Sequence, residues 1–291
     1  MKNRKSIFVL LALIFSLSLL LFGCGQQSNG SDQNASDNSD TNEAADTQPV
    51  VLTVGATPVP HAEILKFIQP ILQEKGIELK IVEFTDYVLP NTALENKELD
   101  ANYFQHVPYL DDFNQKNNTH LSATVPVHFE PLGLYPGKTK SLDEIKQGDS
   151  IAVPNDTTNE ARALLLLESA GLIKIKEGSG LNATVKDIVE NPHEIQIKEL
   201  EAAQISRSLP DVNLAVINGN YAVEAGLDVT KDALKSENKD SLAAQTFANI
   251  VVVRTGDENR PEIKTLNEVI TSPEVRDFIN EKYQGTVIPV F

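Results

Sequence analysis

The sequence alternates short apolar strands with amphipathic helices, and this alternation restricts the chain to few folds. Residues 50–55 (VVLTVG) predict a strand, residues 62–75 place apolar side chains at helical spacing, and residues 77–82 alternate as a second strand. Gly76 stands where the C-cap of the helix is expected. Together the three segments predict a βαβ unit, in which the two strands are parallel.

The same order recurs further along, with a strand at residues 150–154 and a helix that reaches Ala170 before Gly171. Two separate starts of the pattern indicate an α/β fold with two lobes. Ligands of such folds lie beyond the carboxyl ends of the strands or between the lobes, so the residues after each strand are the candidates for function. Further strands are predicted at 195–200, 214–217 and 250–253, and a last helix near 273–283.

The N-terminus has the pattern of a secretory signal peptide. Three of the first five residues are basic, residues 7–22 are apolar, and a Gly-Cys pair ends the run at Cys24. The alternative is a transmembrane helix, but the run is short for a span of about 20 residues and no stop-transfer charge follows it. We therefore predict a signal peptide at residues 1–23.

Cys24 is the only cysteine of the chain, so an intramolecular disulfide is excluded and a thiolate zinc site would need other ligands. Residues 21–24 (LFGC) resemble the lipobox of bacterial lipoproteins, which predicts that Cys24 carries lipid. Residues 25–49 contain no bulky apolar side chain before the strand begins, and such a segment cannot offset its ordering entropy. We predict a disordered tether there.

About 240 residues remain from Val50 onward, enough for one large domain or two modest lobes. The formal net charge of −16 becomes −19 once the three basic signal residues are removed. An acidic body argues against nucleic acid and anionic lipid surfaces as partners.

The segment after the strand at 150–154 carries a candidate anion site. Thr157 and Glu160 have the spacing of a capping box, which predicts a helix that starts at Thr158, with Asn159 and Arg162 on one face of its first turns. A helix N-terminus attracts anions, and an arginine there can hold a carboxylate through two hydrogen bonds. The alternative is a surface arginine paired with Glu160 or another carboxylate.

Aromatic residues cluster with a histidine in the segment that follows residues 100–102. Phe104, His106 and Tyr109 lie within six residues, and Tyr87 precedes them. Aromatic rings form a wall for an apolar or thioether group, since sulfur interacts favourably with ring edges. The alternative is a core cluster near a turn.

Asn218 directly follows the apolar strand at 214–217, and its side-chain oxygen could accept a hydrogen bond from a ligand ammonium. Because Gly219 follows, the pair could equally form a turn. The five histidines are scattered, with no pair at helical spacing, so a metal site has little support. The sequence also lacks the motifs of nucleophilic catalysis and nucleotide hydrolysis, which argues against an enzyme.

A spaced set of short motifs runs through nearly the whole chain after residue 51. The motifs are 53–57 (TVGAT), 87–91 (YVLPN), 100–102 (DAN), 104–106 (FQH), 153–156 (VPND), 190–192 (ENP) and 215–218 (AVIN). With them the chain resembles the methionine-binding lipoproteins of ABC importers, the family that also contains the lipoprotein NlpA.

The resemblance implies a periplasmic-binding-protein fold, type II-like, with two α/β lobes joined by two crossovers around a ligand cleft. Lobe I is expected at 50–131 plus 246–291 and lobe II at 132–245. The crossovers are expected near residues 129–133 and 243–249. The resemblance implies no enzymatic activity and no cofactor.

The resemblance also implies the residues that bind the ligand. Arg162, with Asn159 beside it, would hold the ligand carboxylate, and Asn218 and Asn249 would take the ammonium. The side chain would lie against an aromatic wall. That wall consists of Tyr87, Phe104, His106 and Tyr109.

The implied function is capture of methionine, as the L or D form or both, and delivery to a membrane permease with a cytoplasmic ATPase. The expected protein is a monomer outside the cytoplasm, anchored to the cell membrane through lipid on Cys24. Two alternatives stay open. One is a related ligand, such as a methionine-containing dipeptide or another apolar amino acid, and the other is a surface lipoprotein or adhesin without a transport role.

Overall fold

The structure is a computed structural model that describes residues 48–238 and 246–291. The predicted signal peptide, Cys24, most of the predicted tether and the first residues of the second predicted crossover lie outside those residues. Within the described residues, none of the helices combines the length and the apolar character that crossing a membrane requires.

The first sheet has six strands: β1 (Val50–Ala56), β2 (Ile77–Glu83), β3 (Ala101–His106), β4 (Leu121–Phe129), β12 (Asn249–Arg254) and β13 (Ile288–Pro289). Their order in the sheet is β13-β4-β12-β3-β1-β2. Strand β1 is parallel to β2 and β3, whereas β12 is antiparallel to β3 and β4 and β13 is antiparallel to β4. The first three strands therefore form the predicted βαβ arrangement, extended by antiparallel strands.

The second sheet has five strands: β5 (Gly133–Pro136), β6 (Ser150–Pro154), β9 (Gln196–Leu200), β10 (Leu214–Ile217) and β11 (Lys235–Ser236). Their order in the sheet is β11-β5-β10-β6-β9. Strands β10, β6 and β9 are parallel, and β5 is antiparallel to both of its neighbours. A separate pair is formed by β7 (Lys174–Ile175) and β8 (Ile188–Glu190).

Helices cover both sheets, and each sheet is buried on its two faces. In β12, Val251 and Val253 pack into one apolar cluster while Ile250 and Val252 pack into another, because successive side chains of a strand point to opposite faces. The helices are α1 (Glu63–Glu74), α2 (Leu89–Glu95), α3 (Val107–Asn117), α4 (Thr157–Ser169), α5 (Ala202–Ser208), α6 (Gly219–Glu224), α7 (Pro261–Ile270) and α8 (Pro273–Tyr283).

The α/β class predicted from the sequence is confirmed. Gly76 and Gly171 have φ angles of +77° and +75°, the left-handed conformation expected after a helix. The chain leaves the first sheet at Phe129 and enters the second at Gly133, in the segment where the first crossover is expected. The exact lobe boundaries stay a prediction.

Candidate ligand-binding pocket

One cavity is lined by all eight residues that the sequence nominated. Those eight are Tyr87, Phe104, His106, Tyr109, Asn159, Arg162, Asn218 and Asn249. Four further lining residues were not nominated, namely Gln105, Glu130, Gly219 and Asn220. That the eight contact a ligand stays a prediction.

Strand ends from both sheets bring these side chains together. His106 ends β3 and pairs with Asn249, the first residue of the antiparallel β12. Asn218 directly follows β10, and Asn159 lies in the first turn of α4, the helix that follows β6. The cavity therefore lies where the carboxyl ends of parallel strands meet, the usual ligand position in α/β folds.

The aromatic residues form one side of the cavity. The ring centroid of Tyr87 lies 5.8 Å from those of Phe104 and Tyr109, and 5.1 Å from that of Tyr221. The Tyr87 hydroxyl donates to Oδ1 of Asn220 at 2.5 Å, and the Tyr109 hydroxyl donates to the backbone oxygen of Tyr87 at 3.0 Å. Phe104 and Tyr109 are buried as in a core cluster, Tyr87 is partly buried, and all three line the cavity. The two interpretations of the sequence are therefore compatible.

The capping box predicted for α4 is wrong. The helix begins at Thr157, and the N-cap is Asp156, whose carboxylate accepts from the backbone N–H of Asn159 at 3.0 Å. Glu160 instead accepts from the backbone N–H of Val185 at 3.1 Å. An aspartate one residue earlier takes the role of N-cap, since its short carboxylate reaches the free N–H groups of the first turn.

Arg162 is buried and already holds a carboxylate of the chain. Its Nε and Nη2 donate to the two oxygens of Glu237 at 2.8 and 2.6 Å, and Nη2 also donates to the backbone oxygen of Glu130 at 3.1 Å. Nη1 lies 3.5 Å from Oδ1 of Asn159. The guanidinium carbon is 4.2 Å from the ring centroid of Phe247. The arginine is thus paired with another carboxylate, as the alternative interpretation of the sequence held, but it is buried and not at the surface, and it is also part of the cavity wall.

Two amide side chains have buried atoms that face no partner among the described residues. Asn218 donates through Nδ2 to Oδ1 of Asn159 at 3.0 Å, but its own Oδ1 has no hydrogen bond. Asn220 has its Oδ1 held by Tyr87, while its Nδ2 has no hydrogen bond. An unpaired buried polar atom costs about 1–3 kcal/mol, so a free acceptor and a free donor at one cavity favour a ligand that supplies both partners.

Two buried histidines and a glutamate form a network beside the cavity. Nε2 of His128 donates to Oε1 of Glu130 at 2.6 Å, and Nε2 of His61 lies 3.5 Å from the same oxygen. Nε2 of His61 also donates to Oδ1 of Asn249 at 3.1 Å. The three groups lie within 4.8 Å of one another, although the sequence places the histidines far apart. Tyr103 lies behind the cavity, where its hydroxyl bonds Nδ1 of His128.

Burial controls the charge of these groups. It lowers the pKa of His61 to about 4, that of His128 to about 3 and that of His106 to about 3, so all three imidazoles are neutral near pH 7. For Glu130, burial raises the pKa of the carboxyl, and the nearby imidazole of His61 opposes this shift.

The comparison with protein families matches residues 52–291 to the NlpA lipoprotein family. The chain belongs to the NlpA lipoprotein family. One relative, a methionine-binding lipoprotein MetQ of Bacillus subtilis, is 39% identical over 254 residues, which cover 86% of this chain and 92% of the relative.

Several solved structures share the fold. A lipoprotein from Ruminococcus gnavus is 52% identical with a TM-score of 0.82, and the match covers 83% of this chain and 99% of that one. A nutrient-binding protein from Burkholderia cenocepacia, solved with methionine bound, is 43% identical with a TM-score of 0.78, over 82% and 100%. An ABC transporter substrate-binding protein from Coxiella burnetii is 41% identical with a TM-score of 0.77, over 82% and 100%. The chain thus has the type II-like fold of solute-binding proteins.

Proposed function

We propose that the chain is the solute-binding lipoprotein of an ABC importer and that it captures methionine, as the L or D form or both. The observation that carries this proposal is the cavity, where the eight nominated residues meet. The family supports the ligand, since relatives of about 40% identity carry methionine-binding names and one solved structure has methionine bound.

A free amino acid needs three kinds of contact, and the cavity offers each of them. Asn218 presents an unpaired buried acceptor for the ammonium group. Arg162, with Asn159 beside it, is the donor for the carboxylate, through the Nη1 edge that Glu237 does not take. Tyr87, Phe104 and Tyr109 supply a polarizable wall for the thioether.

We assign residues 50–131 and 246–291 to lobe I and residues 132–245 to lobe II. Hydrogen bonds join the two across the cleft, because the Tyr87 hydroxyl reaches Asn220 and the Tyr221 hydroxyl donates to the backbone oxygen of Thr85 at 3.1 Å. Closure around a ligand expels water and strengthens the polar contacts inside, since the local dielectric falls.

The remaining assignments follow from this role. Lipid on Cys24 anchors the protein outside the cytoplasm, the polar tether lets the domain reach its permease, and the permease is driven by its own ATPase. The protein acts as a monomeric binder without enzymatic activity or cofactor.

Cys24→Ser should abolish methionine uptake by cells while leaving binding by the purified domain unchanged, because the anchor raises the effective concentration of the domain near the permease without contacting the pocket. Unchanged uptake would contradict the anchoring role.

Mass spectrometry of the ligand that co-purifies with the domain, residues 50–291, tests the proposed ligand directly. The protein is unfolded to release what it carries, and the released fraction is compared with that from an Asn218→Ala variant and from Asn96→Ala, an exposed control. We expect methionine in the wild-type and control samples and its depletion in the Asn218→Ala sample. A dipeptide or a different amino acid in the wild-type sample would replace methionine as the ligand.

A further inference from the structure

The cavity has an uneven distribution of charge. Of the described residues that line it, Arg162 is basic and Glu130 is acidic, whereas His106 is neutral near pH 7. Arg162 is neutralised by two hydrogen bonds to Glu237, and the side chains of this pair are 5% and 10% exposed. Glu130 is 6% exposed, and its carboxyl group interacts electrostatically with Arg162. The hydrogen bond from the guanidinium goes to the backbone oxygen of Glu130 and not to its side chain.

Neutral donors surround the Glu130 carboxylate. Its Oε1 faces Nε2 of His128 at 2.6 Å and Nε2 of His61 at 3.5 Å, and the backbone N–H of Asn220 also bonds the carboxylate. Gly219 allows this approach, since a Cβ there would lie 2.5 Å from Cβ of Glu130 and 2.9 Å from Oε2. Neutral donors solvate a carboxylate without cancelling its charge.

Each histidine has a hydroxyl group at its Nδ1 atom. Oγ1 of Thr57 lies 2.7 Å from Nδ1 of His61, and the hydroxyl of Tyr103 bonds Nδ1 of His128. When each hydroxyl donates to Nδ1, the imidazole proton is on Nε2. His128 is then a neutral donor to the Glu130 carboxylate, whereas Nε2–H of His61 donates to Oδ1 of Asn249 at 3.1 Å and lies 3.5 Å from Oε1 of Glu130.

We propose that Glu130 is the counter-ion of the ligand's ammonium group, and that His61 and His128 are positioning residues that keep its carboxylate ionised and aimed at the cavity. The inference rests on the proposed function, an amino-acid pocket, and adds the group that makes the pocket select a cationic amine. The unpaired Oδ1 of Asn218 supplies a second, neutral acceptor for the same ammonium.

The same three groups also resemble the His-His-carboxylate ligand set of zinc, and the geometry favours the hydrogen-bonded network instead. Tetrahedral zinc ligands at about 2.0–2.1 Å from the metal lie about 3.3 Å from one another. Nε2 of His128 and Oε1 of Glu130 are 2.6 Å apart, the distance of a short charge-assisted hydrogen bond.

The wild-type protein gives the first test, by calorimetry with two analogues of methionine. Methioninamide keeps the ammonium and lacks the carboxylate, whereas 4-(methylsulfanyl)butanoate keeps the carboxylate and lacks the ammonium. Because Glu237 already neutralises Arg162 while Glu130 has no such partner, we expect the analogue without the ammonium to lose more affinity than the amide. A larger loss for methioninamide would overturn the inference.

Variants give the second test. Glu130→Gln should weaken methionine binding by about 30-fold or more and change the binding of 4-(methylsulfanyl)butanoate by less than about threefold, since only the charge opposite the ammonium is removed. Glu98→Gln removes a charge from an exposed position and should change neither. His128→Leu should reduce the preference for methionine over the butanoate, and His128→Gln, which keeps an N–H donor, should restore part of it.

Three results separate the possible failures. If Glu130→Gln binds methionine with wild-type affinity, the inference is overturned and the proposed function stays intact. Failure of the wild-type protein to bind methionine overturns both. If zinc chloride raises the melting temperature of the wild-type protein but not that of His128→Leu, then His61, His128 and Glu130 form a metal site and the counter-ion role is overturned.

Discussion

The pair of Arg162 and Glu237 makes a prediction in which stability and affinity change in opposite directions. Glu237→Gln should lower the stability of the ligand-free protein by about 1–3 kcal/mol, since a buried guanidinium loses its counter-charge. It should raise methionine affinity by up to about tenfold, which corresponds to about 1.4 kcal/mol, because Glu237 then no longer neutralises the charge that attracts the ligand carboxylate. Urea denaturation and calorimetry measure the two effects, with exposed Glu177→Gln as control. A fall in affinity would indicate that Glu237 orients Arg162 for the ligand.

Single residues show how much of the pocket the sequence can predict. Seven of the eight nominated side chains lie in short local patterns that single them out, whereas Asn249 follows only from the resemblance to the family. Glu237 is not predicted because its partner Arg162 is 75 residues away. Glu130 is close to His128 in sequence, but its other neighbours are distant. His61 is also far from His128 in sequence, and only the folded chain brings both histidines to one carboxylate.

His106 makes a prediction about pH. Its pKa is about 3 in the folded protein, below the ordinary value of 6.5, so the unfolded chain binds more protons between these values and stability falls as pH falls. His106 is also the N-cap of α3, where its Nδ1 accepts from the backbone N–H of Tyr109 at 3.2 Å. Asparagine can keep that cap without titrating. His106→Asn should therefore lose about 2 kcal/mol less stability than wild type between pH 7 and pH 5. Equal losses in urea denaturation at the two pH values would contradict this.

At the scale of elements, the periodicity of apolar residues predicts where helices and strands lie, but it does not fix the residue at which a helix starts. The strand at Leu214–Ile217 and the helix at Pro273–Tyr283 have the predicted bounds, because each has a clear pattern of burial. The observed start of α4 lies one residue before the predicted one. Either Asp156 or Thr157 could be the N-cap, and the sequence does not reveal that Glu160, the expected partner of Thr157, bonds the distant backbone N–H of Val185.

The Asp156 cap connects the stability of α4 with the geometry of the pocket. Its carboxylate accepts from the backbone N–H of Asn159 and from Nδ2 of the same residue, at 3.0 and 2.9 Å. Asp156→Ala should cost about 0.5–2 kcal/mol of stability and weaken methionine binding, since Asn159 is then free to rotate away from the cavity. Asp156→Asn keeps an acceptor and should recover most of both. Thermal unfolding and calorimetry of the two variants give the comparison; full affinity in Asp156→Ala would separate the cap from the pocket.

At the scale of the whole molecule, the two sheets form one binding site. Each sheet contributes strand ends, and Glu130 lies in the segment that connects β4 to β5, with donors from both sides: His128 from the first sheet and the backbone of Asn220 after β10. The sequence predicted two α/β lobes from the repeated strand and helix pattern. The contacts between them could not be predicted, since they depend on how the lobes meet.

The central claim is that this cavity binds methionine, and calorimetric titration of the domain, residues 50–291, after removal of any bound ligand, tests it most directly. The account predicts saturable binding of one methionine per chain, weakened about 10- to 100-fold by Asn218→Ala and unchanged by the exposed control Asn96→Ala. No saturable binding of L- or D-methionine by the folded wild-type protein, or equal affinity in the wild type and Asn218→Ala, would contradict it.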